Sequence, residues 1–307
     1  MQRRASFDKH CLYNSSSTNW TTCASPLPLI DFWVIMKIRL KAFAVHLGIS
    51  AIVVALALAL IFLVWYPEPF AYVLDVYGVV KTLIAVDLVI GPLLTFILFR
   101  PGKKGVKFDL ACVALLQIGA LLYGLLVCFE QRPVYAVYNE GRFSTVNPDD
   151  YIDVENAKTP KNHPYPRYSL TGPVWVGAKA PASTSRFDRL LIQISGAEGG
   201  GLRVMPRFYM PYALLGAEAA AAGKPSNAID FAATTSVAPL LPRHDERGPV
   251  TAEQRERVGL WLDGLGLPKE KMVLLPLVGS KAVGLVAVDS ESGRVLGTLG
   301  VSPWWKF

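Results

Sequence analysis

Three apolar runs, 42–65, 79–99 and 110–129, lie within fewer than ninety residues of this chain. The first has no charge and only His46 and Ser50 as clearly polar groups. The second is interrupted by Lys81, Thr82, Asp87 and Thr95, and the third carries Gln117 as its one strongly polar side chain. At a rise of about 1.5 Å per residue, each run can cross a hydrocarbon core about 30 Å thick. Soluble cores rarely use uncharged stretches this long, so the sequence reads as a membrane protein with three transmembrane α-helices. The first run is too long for a signal-peptide core, and Trp65-Tyr66-Pro67 at its end is a poor cleavage site.

Lysine and arginine placement sets the expected orientation. Lys37, Arg39 and Lys41 precede the first span, and Arg100, Lys103, Lys104 and Lys107 separate the second from the third. The loop 66–78 holds Glu68 and Asp75 but no basic residue. These placements predict a cytoplasmic N-terminus and second loop, with the first loop and everything after Phe129 on the outer side. Trp65, Tyr66, Tyr72 and Tyr77 fit an aromatic belt at the outer interface.

The net charge of +7 does not indicate nucleic-acid binding. From Glu130 to Phe307 there are 20 basic and 18 acidic residues, so the excess sits at the expected cytoplasmic edge. No basic stripe remains to follow a phosphate backbone. All four cysteines, Cys11, Cys23, Cys112 and Cys128, precede residue 130, so no disulfide framework is expected in the C-terminal domain. Residues 1–35 are rich in Ser, Thr and Asn, and Met36-Lys37-Ile38-Arg39 has the form of a fresh start. We expect residues 1–35 to be a disordered or mis-assigned extension, 36–130 a three-helix membrane domain, and 131–307 an exported domain.

Asp87 is the most costly residue of the membrane region, at about 2.5–3.5 kcal/mol for a carboxylate at bilayer depth. It begins the spacing Asp87, Gly91, Thr95, at i, i+4 and i+8. The third span offers Gln117, Ala120, Gly124 and Cys128, and the first Ala44, Gly48, Ala51, Ala55 and Ala59. Small residues allow close helix approach, and polar ones hydrogen-bond across it. By helix rise Asp87 lies about 12 Å and Gln117 about 18 Å below the outer boundary, within side-chain reach. Pro92 removes a backbone hydrogen bond and should kink the second helix. Three uses fit this face: packing of the protein's own bundle, reception of another protein's helix, or a proton or ion path. Transport usually needs more spans.

The C-terminal domain reads as α+β with a mainly antiparallel sheet. Expected strands are 133–138 and 142–146 as a hairpin, 190–194 and 202–208 around a Gly-rich turn, then 272–278, 282–288 and 295–299. The segment 147–181 reads as mostly loop, and 211–222 as an alanine-rich helix. A capping box at Thr251-Ala252-Glu253-Gln254 should open another helix. The tail Pro303-Trp304-Trp305-Lys306-Phe307 should pack on the domain or touch the membrane interface. His163 and His244 have no metal-ligand spacing, and no nucleophile elbow or phosphate loop is present. No catalytic residue, cofactor or metal site is expected.

The segments Lys37-Ile38-Arg39-Leu40-Lys41-Ala42-Phe43, His46-Leu47, Ser50 and Trp65-Tyr66-Pro67 occur in order with Asp87-Leu88-Val89-Ile90-Gly91-Pro92-Leu93-Leu94. Gln117, Ala120-Leu121, Tyr123-Gly124 and Arg132-Pro133-Val134 follow. In this order they resemble the TfpX/TfpZ family of type IV pilin accessory proteins, over residues 36–138. The resemblance implies an inner-membrane accessory factor or pilin-specific chaperone, not an enzyme. Its implied partner is a type IV pilin, met through its transmembrane helix and its head domain, in the lipid bilayer. Asp87, Gly91, Pro92, Thr95, Gln117 and Gly124 are the candidate contacts for the pilin helix. The alternative is a membrane-anchored periplasmic sensor or envelope enzyme acting through its C-terminal domain.

Overall fold

The computed structural model describes residues 29–102, 104–151, 163–165, 169–197, 200–226 and 252–301. Helix α1 (Leu29–Ala59) continues through a π-helical turn at Leu60–Trp65. A short helix, α2 (Phe70–Val73), lies in the following loop. The second long helix is built from α3 (Tyr77–Ile84), a π-helical turn at Ala85–Ile90, and α4 (Gly91–Leu98). Helix α5 (Val106–Glu130) is the third. Phe32–Trp65, Tyr77–Leu98 and Val106–Glu130 are each long and apolar enough to cross a membrane.

The first helix starts earlier than the sequence reading placed it. Leu29 to Ile35 are helical, because Leu29-Ile30-Asp31-Phe32-Trp33-Val34-Ile35 extends the apolar run. Residues 1–28, the capping residue Thr251 and the tail 302–307 lie outside the described residues.

The C-terminal half holds β1 (Tyr135–Asn139), β2 (Arg142–Val146), β3 (Val174–Ala178), β4 (Tyr209–Pro211) and β5 (Lys224–Pro225), then β6 (Met272–Val278), β7 (Val283–Asp289) and β8 (Val295–Leu299). They form one sheet in the order β4-β3-β1-β2-β6-β7-β8, with β5 also pairing β6. The expected hairpin is present: Glu140 and Gly141 both take positive φ, 48° and 79°, as a tight two-residue turn requires.

The description "mainly antiparallel" needs correction, because the sheet is mixed. The two joins that flank the β1–β2 hairpin, β1 with β3 and β2 with β6, are parallel. A parallel join needs a long crossover, and the chain supplies one between each pair. Pairing sequence neighbours, as the pattern invites, misses both. Strand β3 was also hidden in a segment expected to be loop, although Val174-Trp175-Val176 has strand character.

A second correction concerns 190–194 and 202–208, expected as strands. The first belongs to helix α6 (Arg186–Ala197), and the second forms 3₁₀ turns at Gly201–Val204 and Pro206–Phe208. Short apolar runs do not separate strand from helix by period alone. The deciding signal was upstream. The Ser185 hydroxyl accepts from the Asp188 N–H at 3.1 Å and donates to the Asp188 carboxylate at 2.7 Å, capping the helix.

Side chains alternate across the strands, as pleating requires. Val273, Leu275 and Leu277 of β6 enter one core with Tyr138, Phe143, Val286 and Val288. Met272 and Leu274 face the other way, toward Val258 and Leu262 of α8 (Ala252–Gly264). Helix α7 (Gly216–Ala222) puts Ala219 into the first core.

Candidate functional site: a polar cluster among the helices and a loop that plugs the sheet

The second long helix must accommodate Pro92, which has no N–H and whose ring collides with the carbonyl four residues back in a regular α-helix. The π-helical turn at Ala85–Ile90 resolves this by widening the helix just before Gly91-Pro92. Within it, the Gly91 N–H donates to Val86 O, five residues back. By the same register the donor for Asp87 O would be Pro92 N, which has no hydrogen. Gln117 Nε2 of α5 supplies it instead, donating to Asp87 O at 3.3 Å. The Asp87–Gln117 contact expected from depth is therefore made through the Asp87 backbone.

Gly91 makes that contact possible. A Cβ at this position would lie 1.9 Å from Gln117 Nε2 and 2.3 Å from its Cδ. Asp87, Gly91, Pro92, Thr95 and Gln117 are all buried, with Asp87 only 5% exposed. Among the described residues Asp87 Oδ2 and Gln117 Oε1 have no hydrogen-bond partner. Gly124 sits apart from the cluster, 3.5 Å from Leu83 by its would-be Cβ, at another crossing of the second and third helices.

Helix α1 closes the cluster with two residues that the candidate set omitted. His46 Nδ1 lies 2.5 Å from Thr95 Oγ1, and Ser50 is buried one turn further on. Their signal was available: two polar groups at i and i+4 in an otherwise unbroken apolar span. The small-residue stripe expected to pack α1 does not do so. Ala44, Gly48, Ala51 and Ala55 are exposed, and the buried face is Ser50, Val54, Ala57 and Ile61. Val54 and Ile61 fill that face beside the small Ser50 and Ala57, and the space left by a glycine is used at Gly91 by the Gln117 side chain.

The aromatic residues assigned to an outer belt mostly turn inward. Trp65 and Tyr66 are buried, and Trp65 meets Phe129 edge-on with ring centroids 5.4 Å apart. The last carbonyls of α5 lack intrahelical partners. Cys128 O accepts from the Tyr66 hydroxyl at 2.8 Å, and Phe129 O from Arg132. Arg132, with no exposed surface, also donates to Ser169 O and lies over the Phe129 ring. Only Tyr77, stacked on Phe62, keeps an exposed position.

The loop after α1 enters the sheet domain. Phe70 and Val73 are buried in the first core beside Tyr138, Phe143, Leu277 and Val286. Val73 O accepts from Lys281 N at 3.2 Å and Ala282 N at 3.0 Å. Gly279 leaves room for it, since a Cβ there would lie 2.1 Å from Val73 O. Burying one Phe or Val side chain contributes about 1.5–3 kcal/mol. The two together therefore contribute about 3–6 kcal/mol to holding the loop on the domain.

Among the described residues no three of His, Cys, Asp and Glu are grouped to hold a metal ion. What the geometry defines is a three-helix apolar unit with a buried polar seam, pinned to a mixed-sheet domain through one short loop.

The profile of the Fimbrial assembly protein FimB family matches residues 35–75, which comprise α1 from Ile35, the loop and α2. Three fimbrial assembly proteins of Dichelobacter nodosus are similar. That of serogroups C1 and C2 is 35% identical over 100 residues, covering 32% of this chain and 76% of the relative. That of serogroup I is 32% identical over 114 residues, covering 36% of this chain and 44% of the relative. That of serogroup E1 is 39% identical over 101 residues, covering 32% and 39%. The chain thus spans less than half the length of two of these relatives. It belongs to the family of fimbrial assembly proteins. No solved structure matches it.

Proposed function

We propose that this protein is an inner-membrane accessory factor, a chaperone of the TfpX/TfpZ kind, that assists assembly or display of a type IV fimbrial subunit. It acts by binding and not by catalysis. Its N-terminus is cytoplasmic and its sheet domain periplasmic. The observation that carries the reading is where the family match falls. Residues 35–75 include His46 and Ser50 of the polar seam and Phe70 and Val73 of the plug, so the matched segment ties the helices to the domain.

The seam is covered by the chain's own helices, yet among the described residues Asp87 Oδ2 and Gln117 Oε1 remain without donors. Opening of the second and third helices would present Asp87, Gly91, Pro92, Thr95 and Gln117 to a helix of the subunit, with Gly124 at the next crossing. Polar groups in apolar surroundings serve as such handles.

The test is deletion of the gene and complementation with wild type or Asp87→Ala, scored by surface fimbriae and by membrane level of the protein. Deletion is expected to abolish fimbriae, and Asp87→Ala to reduce them at normal protein level. Full fimbriation in the deletion strain would overturn the proposal.

A further inference from the structure

A cleft of about 300 Å³ opens between β8 and the start of β3. One wall is Val295 to Thr298 of β8, and the other is Pro173 with Trp175 of β3. The floor is Pro67, Glu68 and Phe70 of the loop that follows the first helix. Strand β8 is an edge strand: among the described residues its one strand neighbour is β7. An edge strand leaves a row of backbone donors and acceptors on its free side.

The cleft is bounded at both ends. The Tyr212 hydroxyl donates to Gly293 O at 2.7 Å at one end, and the Thr298 hydroxyl to Glu68 O at 3.4 Å at the other. The open stretch of β8 is therefore four residues, about 13 Å of extended chain. Glu68 is exposed, and among the described residues it is the one charged residue that lines the cleft.

These features select an occupant. Free backbone groups along β8 call for an extended peptide segment that adds a short strand. The apolar pocket of Phe70, Pro173, Trp175 and Val295 calls for one apolar side chain on that segment. Glu68 calls for a lysine or arginine beside it. The position, three residues beyond the end of the first long helix at Trp65, places the segment next to the outer ends of the apolar helices. We infer that this cleft binds an extended, membrane-proximal segment of the fimbrial subunit, carrying an apolar residue next to a basic one, by strand addition to β8. The inference rests on the proposed role in fimbrial assembly and names the contact that the sheet domain makes.

A photocrosslinking residue at Thr298, and separately at Pro173 on the opposite wall, tests it in fimbriated cells. Leu260, exposed on α8, serves as the control position. Both cleft positions should give an adduct containing the fimbrial subunit, mapped by mass spectrometry to a segment with a basic residue. Glu68→Lys should reduce that adduct by about tenfold at unchanged protein level. An adduct to a second copy of this chain, or to its own residues 302–307, would overturn the inference. An equal subunit adduct from Leu260 would do the same. No adduct at either cleft position, with fimbriae still lost on gene deletion, would remove the cleft and leave the proposed function standing. No adduct together with full fimbriation after deletion would remove both.

Discussion

Replacing Gly91 with alanine tests the geometry of the polar seam most directly. The added methyl carbon would lie 1.9 Å from Gln117 Nε2, 2.3 Å from Cδ and 2.6 Å from Oε1, so the amide must leave its place. The Gln117 hydrogen bond to Asp87 O is lost with it. Hydrogen bonds between membrane helices contribute about 0.6 kcal/mol on average and up to about 1.7 kcal/mol. Overpacking a filled site adds about 1–3 kcal/mol, and alanine's better helix propensity returns up to about 1 kcal/mol. The net cost of Gly91→Ala is therefore about 1–4 kcal/mol. In a Gln117→Ala background the amide is absent and the new methyl enters the space it held. There Gly91→Ala should cost nothing or stabilise slightly. The double-mutant cycle is thus expected to give a coupling of about 2 kcal/mol, with the second substitution suppressing the first. The assay is reversible unfolding of the purified protein in mixed detergent micelles, followed by tryptophan fluorescence. Equal costs of Gly91→Ala in the two backgrounds, a coupling below about 0.5 kcal/mol, would refute the close approach of Gln117 and Gly91.

Three further outcomes are expected. Phe70→Ala should cost about 3–5 kcal/mol, as for a large aromatic removed from a packed core, and should expose the loop 66–76 to limited proteolysis while the helices stay protected. Tyr66→Phe removes the donor to Cys128 O and should cost about 1 kcal/mol in the same unfolding assay, with no change in fold by circular dichroism. Burial pushes the phenols of Tyr209, Tyr151, Tyr135 and Tyr212 above the ordinary tyrosine range. A raised folded value means that the unfolded chain ionises first. The stability these groups contribute is full below about pH 10 and falls as pH rises further. The share of tyrosinate absorbance due to these four phenols should therefore appear only together with loss of near-ultraviolet dichroism; ionisation of all twelve tyrosines of the chain well before unfolding would contradict the burial.

The helices were legible because their signal is long: three uncharged runs leave one reading. The hairpin 135–146 and the β6–β7–β8 meander were legible because alternation and turn residues agree locally at Asn139-Glu140-Gly141 and Ser290-Glu291-Ser292-Gly293. What the sequence hid was long-range. Nothing near Phe143 announces Leu277 as its parallel neighbour, and nothing near Val174 announces Tyr135. In the seam, Asp87, Gly91 and Gln117 were readable from cost and spacing. The use of the Asp87 carbonyl was not, because it depends on a π-helical turn that only the folded helix reveals. The inward packing of Trp65 and Tyr66 was misread for a related reason. An aromatic at a helix end satisfies the belt pattern equally well when it caps a neighbouring helix.

The loop 66–76 gives the seam a route to the sheet. Helix α1 holds Thr95 through His46 at one level, and beyond its far end the chain carries Phe70 and Val73 into the core. Tyr66 fixes the intervening corner to the end of α5. A shift of α1 relative to the second helix therefore cannot be absorbed in a slack connection. Either the Tyr66–Cys128 bond breaks or the plug moves against β6 and β7, where Val73 O is held by two backbone donors. Packed interfaces of this kind move between discrete arrangements instead of deforming smoothly. A subunit that displaced the His46–Thr95 contact would thus act on the strand pair that leads to β8. The helix handle and the β8 cleft would then work as two grips of one device, joined by the segment that the family profile matches.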